Sequence, residues 1–171
     1  IRASENPILH EALRIGTLAN RAELVYDEDR WYPVGDPTEV ALLVAARKAG
    51  LDRDRLLEEL PEVAAVPFSS ERQWMATFHR ARDGGSIVHV KGAPGRIIER
   101  CTRELTASGE RALDEAGRQR LLGLNRAVAA RGLRVLAVAR GTARDANDDA
   151  VRELAFVGLV GLSDPPAEGV A

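Results

Sequence analysis

PFSSERQWMATFHRARDGGSIVHVKGAPG, residues 67 to 95, is the stretch on which the fold turns. QWMATFHR and SIVHVKG alternate with period two and flank ARDGG, whose paired Gly84 and Gly85 supply the positive φ angles that tight turns require. Two antiparallel strands are expected, with Phe68 at the start of one and Lys91 at the end of the other. Beyond them PGRIIERC reads as a short helix, Pro94 near its start and Ile97, Ile98 and Cys101 on one face.

Upstream, PILHEALRIGTLAN at 7 to 20 places Leu9, Ala12, Leu13 and Gly16 on one helical face. AELVYDEDRWYPVGD then holds two short apolar runs around Asp27, Glu28 and Asp29, the pattern of a hairpin with an exposed turn. A helix start follows. Asp36 suits the N-cap, Pro37 the first helical position and Glu39 the third, completing a capping box, with Val40, Leu43 and Val44 inward and Lys48 and Gly50 at the end. A second short helix is expected from about Asp52 to Leu60.

Downstream, a longer helix should run from about Asp114 to Arg131, with Leu121, Leu124 and Val128 inward and Gly132 as its left-handed terminator. LRVLAVAR reads as a strand. After the polar link at Asn147, Asp148 and Asp149, LAFVGLVGL reads as a central strand buried on both faces.

The chain has 171 residues and 45% hydrophobic content, enough for one sizeable core and a single domain. Its 24 basic and 26 acidic side chains nearly cancel, which speaks against a nucleic-acid partner or a polybasic membrane patch. One cysteine allows no disulfide framework or multi-cysteine zinc site and fits a reducing compartment. His10, His79 and His89 show no metal-ligand spacing and read as surface or half-buried residues. No apolar run reaches the roughly 20 residues of a membrane span. Ile1 and the Ser-Asp-Pro-Pro run near Ala171 read as ends cut inside a longer polypeptide.

Some of these residues suit a ligand site on chemistry alone. An aromatic ring such as Phe68 at a sheet rim can stack on a base, worth about 1–3 kcal/mol, although a core phenylalanine is the commoner case. Lys91 sits where a strand gives way to Gly92 and Pro94, so its ammonium could meet phosphates near the helix start; a solvated strand-end lysine is the bland alternative, and on either reading no core contact is expected, so that Lys91→Ala would leave the fold intact.

Five stretches occur in an order that resembles the nucleotide-binding domain of P-type cation-transporting ATPases of the calcium, sodium and proton pump type. They are GDPTEVALL at 35–43, PFSSERQWM at 67–75, VKGAPG at 90–95, RGLRVLAVA at 131–139 and GLVGLSDPP at 158–166. The resemblance spans nearly the whole chain. It implies a single α/β domain, α+β in type, with a twisted, mainly antiparallel sheet and helices on both faces. Residues from about 155 to 171 would be the strand and hinge leading back to a phosphorylation domain.

The resemblance also implies a site for ATP, with Mg²⁺ carried by the phosphates and not by a protein cage. Glu39 would face the adenine amino group, Phe68 would stack, and Lys91 beside Gly92 would line the bottom of the pocket. Arg72 and Arg134 would contact phosphates, guanidinium forks suiting phosphate oxygens, and Met75 and Leu136 would wall the adenine slot. The implied partners are the phosphorylation and actuator domains of the same parent chain, on the cytoplasmic side of a membrane that this domain does not touch; the isolated domain is expected to be a monomer.

The chain departs from the family pattern at Gln73, Gly95 and Ala167, where many relatives have lysine, glutamate and arginine. No DKTGT, GDGxND or GxxxxGK[ST] stretch is present, so no catalytic residue and no metal ligand is nominated. Two other classes fit the sequence less well. A phosphatase of the haloacid dehalogenase type would use Asp164, but Pro165 and Pro166 stand where that chemistry needs a second aspartate. A domain kept for interdomain or regulatory contacts would account for Gln73.

Overall fold

The computed structural model describes residues 5–81 and 84–163. Asn6 caps α1 (Pro7–Leu18), its side chain accepting from the Leu9 N–H, and Pro7 occupies the first turn where no donor is needed. The hairpin of β1 (Glu23–Asp27) and β2 (Arg30–Val34) follows, turning through Glu28 and Asp29 at positive φ. Then come α2 (Pro37–Lys48) and α3 (Arg53–Glu59), capped by Asp36 and Asp52, each accepting from two backbone N–H groups.

The remaining elements are β3 (Glu62–Val66), β4 (Trp74–Arg80), β5 (Ser86–Gly92), α4 (Pro94–Arg100), β6 (Cys101–Thr106), β7 (Gly109–Ala112), α5 (Glu115–Ala129), β8 (Arg134–Ala143) and β9 (Leu154–Leu162). Seven strands form one sheet in the order β3-β4-β5-β8-β9-β6-β7. Its ladders are antiparallel apart from β6 against β9. This is the mixed, mainly antiparallel α/β architecture that the motif order implies.

Side-chain alternation along β8 shows how the helices divide between two faces. Ala137 and Ala139 join the core under α4 and α5, with Trp74, Phe78, Val90, Ile97 and Leu121. Val138, between them, faces the other way and packs with Ala12, Ile15 and Val157 beneath α1. Ile15 and Leu18 are fully buried, and α2 stacks on α1.

Several sequence expectations are corrected here. Phe68 does not begin a strand: it lies in the loop that leaves β3, and β4 starts six residues later at Trp74. Only Gly84 of the glycine pair has positive φ. On α2 the inward stripe is Leu42, Leu43 and Ala46, with Val40 and Val44 half-buried. Leu124 is 48% exposed because α5 seats its Leu121 face on the sheet. Cys101 belongs to β6, where burial pushes its thiol up to about 12 and leaves it inert. The apolar run of β9 is buried at 154–157 and half-exposed beyond.

The histidines differ most from expectation. His79 and His89 are fully buried on the α1 side of the sheet, with ring centroids 4.9 Å apart in an edge contact. His79 bonds the Leu60 carbonyl at 2.8 Å and Thr77 Oγ1 at 2.9 Å. Neither ring nitrogen of His89 has a hydrogen-bond partner among the described residues. Burial holds both pKa values below the ordinary 6.5, and His89 is lowered further by His79, Arg14 and Arg140.

Candidate functional site

On the face of the sheet that carries α1 and α2, β4, β5 and β8 bring Met75, Lys91 and Val138 side by side, with Leu136 two residues along β8. Met75, Lys91 and Leu136 floor a cleft of about 600 Å³. One wall is the start of α2, with Asp36, Thr38 and Glu39; another is the β3–β4 loop with Pro67, Phe68 and Gln73; Gly92, Ala93 and Pro94 close a third side, and Arg134 and Arg21 stand at the rim.

Seven of the nominated residues, Glu39, Phe68, Met75, Lys91, Gly92, Arg134 and Leu136, line this one cleft. Phe68 is 62% exposed, an unusual state for a phenylalanine and one that leaves its ring accessible. Arg134 donates to Thr38 Oγ1 at 3.0 Å, joining β8 to the first turn of α2. Met75 is buried in the floor.

Arg72 is the nominated residue that does not line the cleft. Its guanidinium turns back to Asp148 Oδ2 at 3.2 Å and to the Pro67 carbonyl at 3.0 Å, within reach of the Trp74 ring. Those contacts brace the loop that carries Phe68. Gln73, beside it, holds φ at +61° and accepts the Ala93 N–H at 2.8 Å, locking that loop to the end of β5. Gly92 is obligatory at this crossing, since a Cβ there would stand 2.4 Å from the Gln73 carbonyl and 2.5 Å from Trp74 Cβ.

The capping box forms by half. Asp36 accepts from the N–H groups of Thr38 and Glu39 at 2.8 and 3.2 Å, but the Glu39 carboxylate turns across the cleft instead of back to the cap. Oε1 meets Lys91 Nζ at 2.6 Å and Oε2 accepts from the Arg21 N–H at 3.1 Å. Lys91 is therefore no solvated strand-end lysine: it is 5% exposed and ion-paired. Burial lowers its pKa below the ordinary 10.5, opposed by Glu39 and Asp36 and assisted by Arg53.

This arrangement suits a flat, partly apolar ligand with an anionic tail. An exposed ring and a Met–Leu floor offer stacking surface, an acidic lip offers acceptors to an amino group, and Arg134 brings positive charge to the rim, while the charges of Lys91 and Arg21 are matched by Glu39 and Glu62. The acceptor Asp36 already occupies the first amides of α2, so that helix end is not an anion seat. Arg21, Asp36 and Thr38 were not nominated from sequence; the cap motif signalled the last two, whereas nothing around Arg21 marked it.

Among the described residues no cluster of three or more His, Cys, Asp or Glu could hold a metal, and no helix is long and apolar enough to cross a membrane. Asp164 and most of the SDPP stretch lie outside the described residues.

Residues 8–169 match the family model described as P-type ATPase, cytoplasmic domain N. The whole chain is 44% identical over 177 aligned positions to the probable cation-transporting ATPase F of Mycobacterium tuberculosis, of which it covers 19%. It is 37% identical to the cation-transporting ATPase pma1 of Synechocystis over 94% of its length and 18% of that protein. It is 33% identical to the calcium-transporting ATPase 1 of Saccharomyces cerevisiae over 95% of its length and 17% of that protein. The chain thus spans about a fifth of the length of these relatives.

Proposed function

The chain belongs to the P-type cation-transporting ATPase family as its cytoplasmic N domain, and on that premise we propose that the cleft holds the adenine nucleotide for phosphoryl transfer to an aspartate elsewhere in a longer pump. The observation that carries this reading is the convergence of seven motif residues, drawn from positions 39 to 136, on one cleft.

In this reading the adenine ring stacks on Phe68 over the floor of Met75 and Leu136. Glu39 accepts from the exocyclic amino group with the oxygen lone pairs that Lys91 and the Arg21 N–H leave free. Lys91, beside Gly92, lines the bottom of the cleft and holds the Glu39 carboxylate in place, and the Arg134 guanidinium reaches the phosphates. Arg72 serves indirectly, by bracing the Phe68 loop. Mg²⁺ arrives on the phosphates.

The chain supplies binding and position, and no nucleophile. Holding the γ-phosphoryl group against an aspartate of a neighbouring domain converts a two-body encounter into an intramolecular one, which is where its contribution to rate lies. We read residues 1–171 as one such domain, with 155–171 leading back toward the phosphorylation domain on the cytoplasmic side of the membrane.

Incubation with γ-labelled ATP and Mg²⁺, beside calorimetric titration with ATP, tests the reading. Saturable binding without covalent label is expected. Stoichiometric, hydroxylamine-sensitive label on this chain, or no saturable binding at millimolar nucleotide, would overturn it.

A further inference from the structure

The link between α1 and β1 is held from several sides. Asn20 is fully buried. Its Nδ2 donates to the Gly16 carbonyl at 2.9 Å and to the Glu39 carbonyl at 2.9 Å, while its Oδ1 accepts from the Ala22 N–H at 2.8 Å. Both amide hydrogens are committed, one to the last turn of α1 and one to the first turn of α2. From α3, Arg53 donates to the carbonyls of Asn20 and Ala22 at 3.0 and 2.9 Å.

Glu39 is consequently fixed twice by this link. The Asn20 side chain holds its backbone carbonyl, and the adjacent Arg21 N–H holds one carboxylate oxygen, so that the other meets Lys91. Carbonyls can only accept, so the position between Gly16 and Glu39 demands a two-hydrogen donor. Aspartate, the same shape, would aim oxygen at oxygen.

The geometry points to Asn20 as a positioning residue for the cleft, setting the first turn of α2 so that the Glu39 carboxylate closes on Lys91. Asn20 does not itself line the cleft. The effect on nucleotide affinity rests on the reading proposed above; the coupling of Asn20 to the Glu39–Lys91 pair stands apart from it.

The chain contains two lysines, Lys48 and Lys91, so the side-chain ammonium signals are separable by ¹⁵N NMR, with exposed Lys48 as internal reference. The titration is run on the unmodified chain, on Asn20→Asp and on Asn20→Ala, each with Glu39 intact and with Glu39→Gln. In either Asn20 variant the Lys91 midpoint should fall by about one unit, a tenfold change in its equilibrium, and only where Glu39 is intact; AMP should bind about tenfold more weakly. An unmoved Lys91 midpoint in a folded variant overturns the proposal, because a merely structural residue would lower the melting temperature alone. So does an equal fall with and without Glu39. A Glu39-dependent fall in a chain that binds no AMP upholds the positioning role and defeats the nucleotide reading instead.

Discussion

Lys91 Nζ stands 2.6 Å from Glu39 Oε1, joining β5 to the first turn of α2 across residues 52 apart in sequence. The lysine side chain is 6% exposed and the glutamate 16%, so both charges have lost most of their water. Burying such a pair contributes little net stability, but removing one partner strands the other. The pair is therefore less a source of stability than a constraint, fixing where α2 sits over the sheet.

Lys91→Ala should cost about 3 kcal/mol of stability, the low end for breaking a buried pair, and Lys91→Met combined with Glu39→Gln should recover most of it. Chemical denaturation of the three chains checks this, and a fully stable Lys91→Ala would count against the pair. The sign of the pH effect follows from the lowered pKa: the unfolded chain binds the proton more tightly, so the Lys91 contribution should rise with pH towards the ordinary 10.5.

Phe68→Ala should leave the fold intact, because the ring is 62% exposed and takes no part in the core. Affinity for ATP, ADP and AMP should fall alike by about 1–3 kcal/mol, as for loss of a stacking surface. Calorimetry beside thermal unfolding separates the two effects; a collapse of the melting temperature with unchanged affinity would make the residue structural.

His89→Leu should flatten the loss of stability on acidification. The folded-state pKa of His89 lies well below 6.5, so the unfolded chain gains a proton that the folded chain refuses as pH falls through that value. Stability should therefore drop from about pH 7 to about pH 5 in the unmodified chain and less steeply in the variant; His79, lowered in the same sense, retains part of the slope. Parallel profiles from urea unfolding would contradict this.

The sequence revealed most where a local rule was strong. Asp36-Pro37 announced α2, the Gly84 turn announced β4 and β5, and the acidic turn announced β1 and β2, although that hairpin is largely exposed. It failed where pairing supplies what pattern lacks. β7 is exposed along its whole length and carries no apolar alternation, and β6 is recruited by parallel pairing with β9, so neither was foreseen. The cleft residues came from motif order, but their chemistry did not: no local signal says that the Glu39 carboxylate leaves its cap for Lys91, that Arg72 faces Asp148, or that His89 is buried without a polar partner.

Met75 is the only methionine in the chain and sits in the cleft floor opposite Lys91, so its ¹³C-labelled methyl group reports on the cleft with a single signal. Titration with ATP, ADP and AMP should shift that signal saturably and in the same direction for all three, and Phe68→Ala should weaken each titration. A Met75 methyl that stays unmoved while nucleotide binding is seen by calorimetry would place the nucleotide outside this cleft and contradict the account.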